Sequence, residues 1–382
     1  MTSQSDERMQ RWQRNRAARL AALPWLHTDT SGRKPVRYLA NELIVAAGSE
    51  TLARRILTGR GVPATAITVQ PALHGYVRLT APGADIAAAV RALRAQAGAS
   101  AAAPHHVFVS TPFEMGGPYG PPAAVDSFTL PAGPAADATL RVAVVDTGVW
   151  LDSPLPPAWY QAGADDYDNT VDEDADVGHA NFIIGVLMSQ TTNATVRAVK
   201  VLDATGVCTE AQLATALSAL GDVDVVNLSL GCFTQDDQPP LLLKAALGTL
   251  LNGKDRAVIA AAGNEGSSGE PYWPAAFAGS DAEFAGQVIA VAAHDGSALC
   301  SWSNTGPWVS LAAPGSDITS TYVTHDGFPT GFASWSGTSF SAPYVAAAIA
   351  ANHRAGGTVG AAVEQVLTAA AEHRFGDYPG LP

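Results

Sequence analysis

The sequence predicts an α/β protein: a doubly wound, mostly parallel sheet over residues 139–382, preceded by a small α+β unit over residues 38–110. Three observations predict it. After Ala138, short apolar runs of strand length alternate with helical segments to the end of the chain, from LRVAVVD and NFIIGVLMS through VDVVNLSLG and AVIAAAGN to VSLAAPG. Strands that are apolar at nearly every position have both faces covered, which means a parallel sheet between two helical layers. Residues 38–110 instead read strand, helix, strand, strand, helix, strand, the split βαβ order of an antiparallel sheet with both helices on one face. Finally, 382 residues exceed the ~250–300 at which a single core stops growing, and a chain 47% hydrophobic and 15% charged can fill two.

Taken in order, residues 1–37 form an N-terminal extension. Its first 24 residues predict a polar helix in which Arg8, Arg11, Arg14, Arg16 and Arg19 leave no core-facing stripe, so a solvated helix is expected rather than a binding arm. ELIVAA from Glu42 is a strand, SETLARRILTGRG a helix closed by glycine, ITVQPALHGYVRLT two strands around a turn, ADIAAAVRALRAQAG a second helix and HHVFVS a last strand. Residues 111–138 are rich in Pro and Gly and predict a linker or a processed junction.

Composition excludes several classes. No apolar stretch reaches the ~18 residues of a membrane-spanning helix. Arginines interrupt every apolar run near the N-terminus, so a secretory h-region is missing and a cytoplasmic location is expected, or a secreted one if the true start lies upstream. Cys208, Cys232 and Cys300 lack metal spacing and are expected to be reduced core residues, with a Cys208–Cys232 bridge as the alternative. The net charge of −13 is unevenly spread: residues 1–120 hold 14 Lys/Arg against 7 Asp/Glu, the remainder 8 against 28. Nucleic acid is excluded as a partner at this balance, and either two solvated surfaces or a basic N-terminal part docked on an acidic remainder is expected.

Three segments carry chemistry. Asp146 follows the strand RVAVV, beyond the carboxyl end of a parallel strand, where open sheets place their sites. Alone it reads equally as a turn-capping Asp, and the aspartic-protease reading fails for want of a second Asp-Thr/Ser-Gly. His179 opens the apolar helix NFIIGVLM, where a histidine is either a base or a structural hydrogen-bonding residue. Ser339, in Gly337-Thr338-Ser339-Phe340-Ser341-Ala342-Pro343, begins a long helix whose unpaired N–H groups can stabilise an oxyanion. Pro343 is expected to be tolerated because first-turn N–H groups have no intrahelical partner.

Asp-Thr-Gly, Gly-His and Gly-Thr-Ser-x-Ser-Ala-Pro in the order Asp, His, Ser resemble the three signature segments of the subtilases, peptidase family S8. The resemblance covers about residues 138–375. It extends to Asn227-Leu228-Ser229-Leu230-Gly231, to Ala261-Ala262-Gly263-Asn264, to Tyr272-Trp273-Pro274-Ala275, to Trp302-Ser303-Asn304-Thr305-Gly306-Pro307 and to Leu311-Ala312-Ala313-Pro314-Gly315. It implies a subtilisin-like sheet, catalytic Asp146, His179 and Ser339, an oxyanion hole completed by Asn264, and a peptide cleft lined by Ser229, Leu230, Gly231, Ala262 and Gly263. Residues 38–110 resemble, in element order and position, the ferredoxin-like inhibitory propeptide domain of that family. An α/β-hydrolase reading fails on the order Ser, Asp, His, and a sedolisin reading needs Glu and Asp where His179 and Asn264 stand.

The chain departs from the family where His-Gly-Thr-His-Val-Ala-Gly is usual and His179-Ala180-Asn181-Phe182-Ile183-Ile184-Gly185 stands, and where Cys232 replaces a common glycine. No cofactor and no protein-bound metal are expected. Calcium is the alternative for the seven carboxylates between Asp165 and Asp176, with a basic substrate side chain or the basic N-terminal region as other partners. The expected protein is therefore a monomeric serine endopeptidase acting on proteins or peptides, held latent by residues 38–110 and released by a cut between Ser110 and Met115. The competing readings are a non-proteolytic peptide-binding module, and an enzyme dedicated to maturing one cytoplasmic partner.

Overall fold

Continuous apolar strands become the centre of the molecule. The computed structural model describes residue 14 and residues 18–110, 121–168, 177–280, 282–284 and 286–382. In the N-terminal part the elements are β1 (Leu26–Asp29), β2 (Val36–Ala46), α1 (Glu50–Gly59), β3 (Thr68–Pro71), β4 (Tyr76–Thr80), α2 (Ile86–Ala97) and β5 (Ala102–Ser110). Asp85 starts α2 by accepting the Ala88 N–H at 2.9 Å, which satisfies one of the donors a helix start leaves unpaired. β5, β2, β4 and β3 lie side by side in that order, every neighbour antiparallel.

After the short β6 (Ala123–Ala124) come β7 (Leu140–Asp146), β8 (Val149–Trp150), β9 (Tyr160–Gln161), β10 (Tyr167–Asp168), α3 (His179–Gln190), β11 (Ala194–Lys200), β12 (Val207–Thr209) and α4 (Glu210–Ser218). Then follow β13 (Val225–Leu228), β14 (Leu230–Gly231), α5 (Leu241–Leu251), β15 (Ala257–Ala261), β16 (Val288–His294), β17 (Leu311–Pro314), β18 (Ile318–Thr321), β19 (Phe332–Trp335), α6 (Thr338–Asn352) and α7 (Val359–Ala370). The main sheet is parallel throughout, in the order β17-β16-β15-β13-β7-β11-β9. The chain winds outward from β7 to β11, then returns to the other side of β7 with β13, so Asp146 at the end of β7 sits at the topological switch.

Alternation within β7 shows why its sequence is unbroken apolar. Val142 and Val144 face a core made with α3, α6 and α7, while Ala143 and Val145 face a second core with α4 and α5. That second core also contains Leu43, Val45, Leu57, Leu79 and Phe108 from the N-terminal part, so the two parts share one apolar cluster. Ion pairs across this contact include Lys34–Glu270 at 3.4 Å and Arg94–Asp236, but the contact is chiefly apolar and hydrogen-bonded. His105 illustrates the second kind: its Nε2 accepts the Ala211 N–H at 3.2 Å, leaving Nδ1 to donate to Glu42 Oε2 at 2.9 Å.

β5 is buried along its whole length. Its first half pairs with β2; its second half runs between β12 and β14, with Val109 opposite both Val207 and Gly231 and Ser110 opposite Leu230. Of the polar helix expected over residues 1–24, residues 1–13 and 15–17 lie outside the described residues, and its end departs from the solvated reading. Leu20 is buried against Val107, Val109 and Val207, with Leu23, Trp25, Leu26 and Leu39 packed around them. The apolar surface it meets exists only once β5 lies between β12 and β14, so no periodicity within residues 1–24 could announce it. Of the stretch expected as a linker, residues 111–120 lie outside the described residues, and Ala123 and Ala124 form a ladder with Ser334 and Ala333.

The three cysteines are free and buried, in accord with the reduced reading. Burial raises all three thiols above their ordinary range, Cys300 to about 12, so none is a ready thiolate. No helix among the described residues is long and apolar enough to cross a membrane.

Gly185 is a position where close approach excludes any other residue. On α3 it faces β18, and a Cβ there would overlap the hydroxyls of Ser320 and Thr321. Those hydroxyls are committed to the α3 carbonyls of Phe182 and Asn181, at 2.9 and 2.7 Å. Gly185→Ala is expected to lower the stability by about 1–3 kcal/mol, overpacking outweighing the ~1 kcal/mol that alanine gains in helix propensity. Chemical denaturation of both proteins checks it; a variant as stable as the parent would show that β18 can yield.

Candidate active site

Three strand ends and two helix starts converge on one place. Asp146 is fully buried, and its Oδ1 accepts the Thr147 N–H at 2.7 Å while facing His179 Nδ1 at 2.7 Å. A carboxylate can only accept, so Nδ1 carries the proton and Nε2 is left with its lone pair outward. That Nε2 is buried and has no hydrogen-bond partner among the described residues. Gly178, with φ +81°, lets the chain turn into α3 so that His179 is its first residue. The rings of Trp335 and Phe340 lie 5.5 and 5.6 Å from the imidazole and wall it with apolar surface.

Ser339 is the second residue of α6, and Phe340 beside it ties that helix start to His179. Its Oγ lies 3.3 Å from the Ser229 carbonyl oxygen, while the Ser229 hydroxyl donates to the Ser339 carbonyl at 2.8 Å. Pro343 explains the second bond and corrects the earlier account of its tolerance. It is the sixth helical residue, beyond the turn whose N–H groups are unpaired in any case. Lacking an N–H, it leaves the Ser339 carbonyl without its i+4 donor, and the Ser229 hydroxyl takes that place.

Asn264 follows β15 by way of Gly263. Its Oδ1 accepts both the N–H and the hydroxyl of Thr338, each at 2.9 Å, and Thr338 Oγ1 accepts the Gly263 N–H at 3.0 Å. A main-chain N–H cannot be anything but a donor, so the amide orientation is settled and Nδ2 is turned away from Thr338. It faces the Gly337 turn, where a Cβ would lie 3.4 Å from it. Gly263 has φ +97°, and a side chain there would overlap the Asn304 amide. Asn304, fully buried, holds this loop by donating to the Ala262 carbonyl at 3.0 Å and accepting from Glu265 N and Ser267 N at 3.1 and 2.8 Å.

Thus Asp146 and His179 are joined directly, Ser339 and Ser229 directly, and Asn264 to the residue before Ser339. The Ser339 hydroxyl faces Ser229 rather than His179. Ala262 and Gly263 line the turn before Asn264, and Leu230 and Gly231 carry the edge on which β5 lies. Thr147, Thr338 and Asn304 are additions to the sequence-derived set: each stands inside a quoted motif, but its role depends on a partner far along the chain. In the acidic run, Asp166 accepts from Lys200 N and Gly163 N at 2.9 and 2.8 Å, while Asp172, Glu173, Asp174 and Asp176 lie outside the described residues. No group of three or more His, Cys, Asp or Glu suited to a metal occurs among the described residues.

A doubly wound sheet whose switch point holds a buried Asp–His pair, with a serine at the start of a helix whose Phe340 packs on that histidine, assembles the residue types that serine hydrolases use. The chain belongs to the subtilase family, whose model matches residues 137–378. It is 36% identical over 219 residues to a thermophilic serine proteinase of Bacillus sp. (strain AK1), a match that takes in 54% of this chain and 50% of that protein. The chain therefore spans half the length of that relative. Among solved structures it is similar to a cold adapted subtilisin-like serine proteinase, 26% identical over 65% of this chain and 88% of that one, with a TM-score of 0.51. Fervidolysin from Fervidobacterium pennivorans, 17% identical, shares the fold over 87% of this chain and 58% of its own, with a TM-score of 0.57. The subtilisin-like α/β fold expected from the sequence is borne out.

Proposed function

We infer that the chain is a serine endopeptidase that cleaves peptide bonds through an acyl-enzyme, with Asp146, His179 and Ser339 as its triad. The observation that carries this reading is the buried Nε2, without a partner among the described residues, of an imidazole already oriented by a carboxylate at 2.7 Å, with Ser339 at the start of the helix whose Phe340 packs on that ring. An unpaired polar atom in an apolar pocket costs stability and persists where the chemistry needs it. On substrate binding the Ser339 hydroxyl would turn from Ser229 to Nε2, as catalytic hydrogen bonds that are loose at rest commonly tighten. Ser339 Oγ attacks the carbonyl carbon while its proton passes to Nε2; the proton then goes to the departing amine, and water repeats the sequence on the acyl-enzyme. The Ser339 N–H and Asn264 Nδ2 would hold the oxyanion.

Residues 38–110 act in this reading as an inhibitory, ferredoxin-like unit on the enzyme of residues 139–382. The pairing of β5 between β12 and β14 supports it, because an extended peptide substrate would add its strand to the same edges. One observation favours the competing reading of a peptide-binding module: the Ser339 hydroxyl faces Ser229 instead of His179.

Intact mass followed over time for the parent chain, Ser339→Ala and Leu20→Asp tests these readings together. The parent is expected to split between residues 110 and 138 and Ser339→Ala to stay whole. Leu20→Asp should split faster, since a carboxylate against Val107 and Val109 weakens the hold on β5. If no sample splits and Ser339 in the folded chain does not react with a fluorophosphonate, the binding-module reading replaces the enzyme. A Leu20→Asp chain that splits no faster than the parent removes the N-terminal contact from the account of latency.

A further inference from the structure

We propose that Asn181 is a positioning residue for the Asp146–His179 pair, an inference that rests on the reading of that pair as catalytic. Asn181 stands two residues after the histidine, where the family usually has threonine, and it is fully buried. Its Oδ1 accepts the Trp150 N–H at 2.8 Å and its Nδ2 donates to the Trp150 carbonyl at 2.9 Å. One side-chain amide thus takes both main-chain groups of a single residue, as a neighbouring strand would. With a fixed donor and a fixed acceptor opposite it, the amide has one possible orientation.

The consequence follows from what the two ends carry. Trp150 ends β8, four residues after Asp146, so it belongs to the chain that leaves the carboxylate. Asn181 belongs to the first turn of α3, which carries His179. A second link lies between the pair and the first, where Thr147 Oγ1, one residue after Asp146, accepts the N–H of Ala180, one residue after His179, at 3.0 Å. With the 2.7 Å bond between Asp146 and His179, the two links make three successive ties between the β7–β8 segment and the first turn of α3, so the helix start cannot shift against that segment without straining them. The Asn181 carbonyl is itself held by Thr321 Oγ1 at 2.7 Å, which anchors the same turn to β18. A threonine offers one hydroxyl oxygen on a short stem where this amide offers a separate donor and acceptor, so the two-point link is specific to asparagine here.

Asn181 touches neither substrate nor reacting atoms in this account; it acts through the imidazole. Asn181→Leu keeps the size of the side chain and removes both bonds. Two readouts apply: kcat and KM for a chromogenic peptide with the processed enzyme, and the low-field proton resonance of His179 Nδ1–H in the intact chain. The expected result is a fall in kcat of about 10–100-fold, the scale set by a misplacement of ~1 Å, with KM nearly unchanged, and a resonance that broadens or moves to higher field. Should Asn181→Leu fail to fold, Asn181→Gln, which keeps the amide one methylene farther out, is expected to move both readouts the same way by a smaller amount. An unchanged resonance with unchanged kcat overturns the proposal, as does a kcat that falls only in step with the loss of folded protein while the resonance stays. If the parent itself hydrolyses nothing, the peptidase reading fails and the resonance alone decides the role of Asn181.

Discussion

Asp146→Asn is expected to lower kcat/KM for peptide hydrolysis by about 10⁴-fold, the scale seen when the carboxylate of such a triad loses its charge but keeps its place. Asp146 Oδ1 holds two N–H groups at once, the main-chain donor of Thr147 and the Nδ1 of His179, each at 2.7 Å. An asparagine can serve Thr147 with its oxygen, but wherever its amide nitrogen meets the imidazole it must donate. Nδ1 then becomes the acceptor, the ring proton moves to Nε2, and the atom that should take the Ser339 proton already carries one. In the orientation that keeps the oxygen on both donors, the imidazolium formed during the reaction loses its counter-charge. Steady-state hydrolysis by the processed variant checks this, with circular dichroism to verify the fold; a loss below tenfold would remove Asp146 from the catalytic account.

Asn264→Ala should lower kcat by ~10²–10³ with KM little changed, because an oxyanion donor acts on charge that develops only in the transition state. In the proposed mechanism this side chain has two jobs that can be separated. Its Oδ1 accepts from the N–H and hydroxyl of Thr338, and Thr338 is buried, so alanine also strips partners from that residue and costs about 1–3 kcal/mol of stability. Asn264→Asp keeps an acceptor for Thr338 and replaces the outward NH₂ with an oxygen. It is expected to lose at least as much rate as alanine, since it turns attraction for the oxyanion into repulsion. Comparing kcat with the denaturation midpoint for the two variants separates the roles, and a full rate in Asn264→Asp would place the oxyanion elsewhere.

Much of this is legible in the sequence alone. β7, β15 and β16 read as strands because their residues are apolar on both faces, and both faces do meet helical layers. Asp146, His179 and Ser339 stood out because each sits where a strand ends or a helix begins, and such places expose side chains and unpaired main-chain groups; Asn264 came only with the resemblance to the subtilases. Other features escaped. The opposite charges of the two parts do meet, in Lys34–Glu270 and Arg94–Asp236, but the apolar side chains and strand pairing that also join the parts were not announced by the charge count. Leu20 looked solvated because its partners, Val107, Val109 and Val207, lie about 90 and 190 positions away in the chain. Pro343 looked harmless at a helix start, and the bond that replaces its missing N–H comes from Ser229.

The sequence by itself determined the class of fold, the order of its elements and the residue types of the site, because apolar periodicity, helix starts and turn chemistry are local properties of the chain. Only the tertiary structure decided that Asn264 turns its NH₂ away from Thr338, that Asn181 locks onto Trp150, that Ser229 completes α6 and that β5 lies between β12 and β14. Each of these is a hydrogen bond or a packing contact between distant segments. Its geometry is set by how helices and sheets stack once both cores close, and no local pattern encodes that.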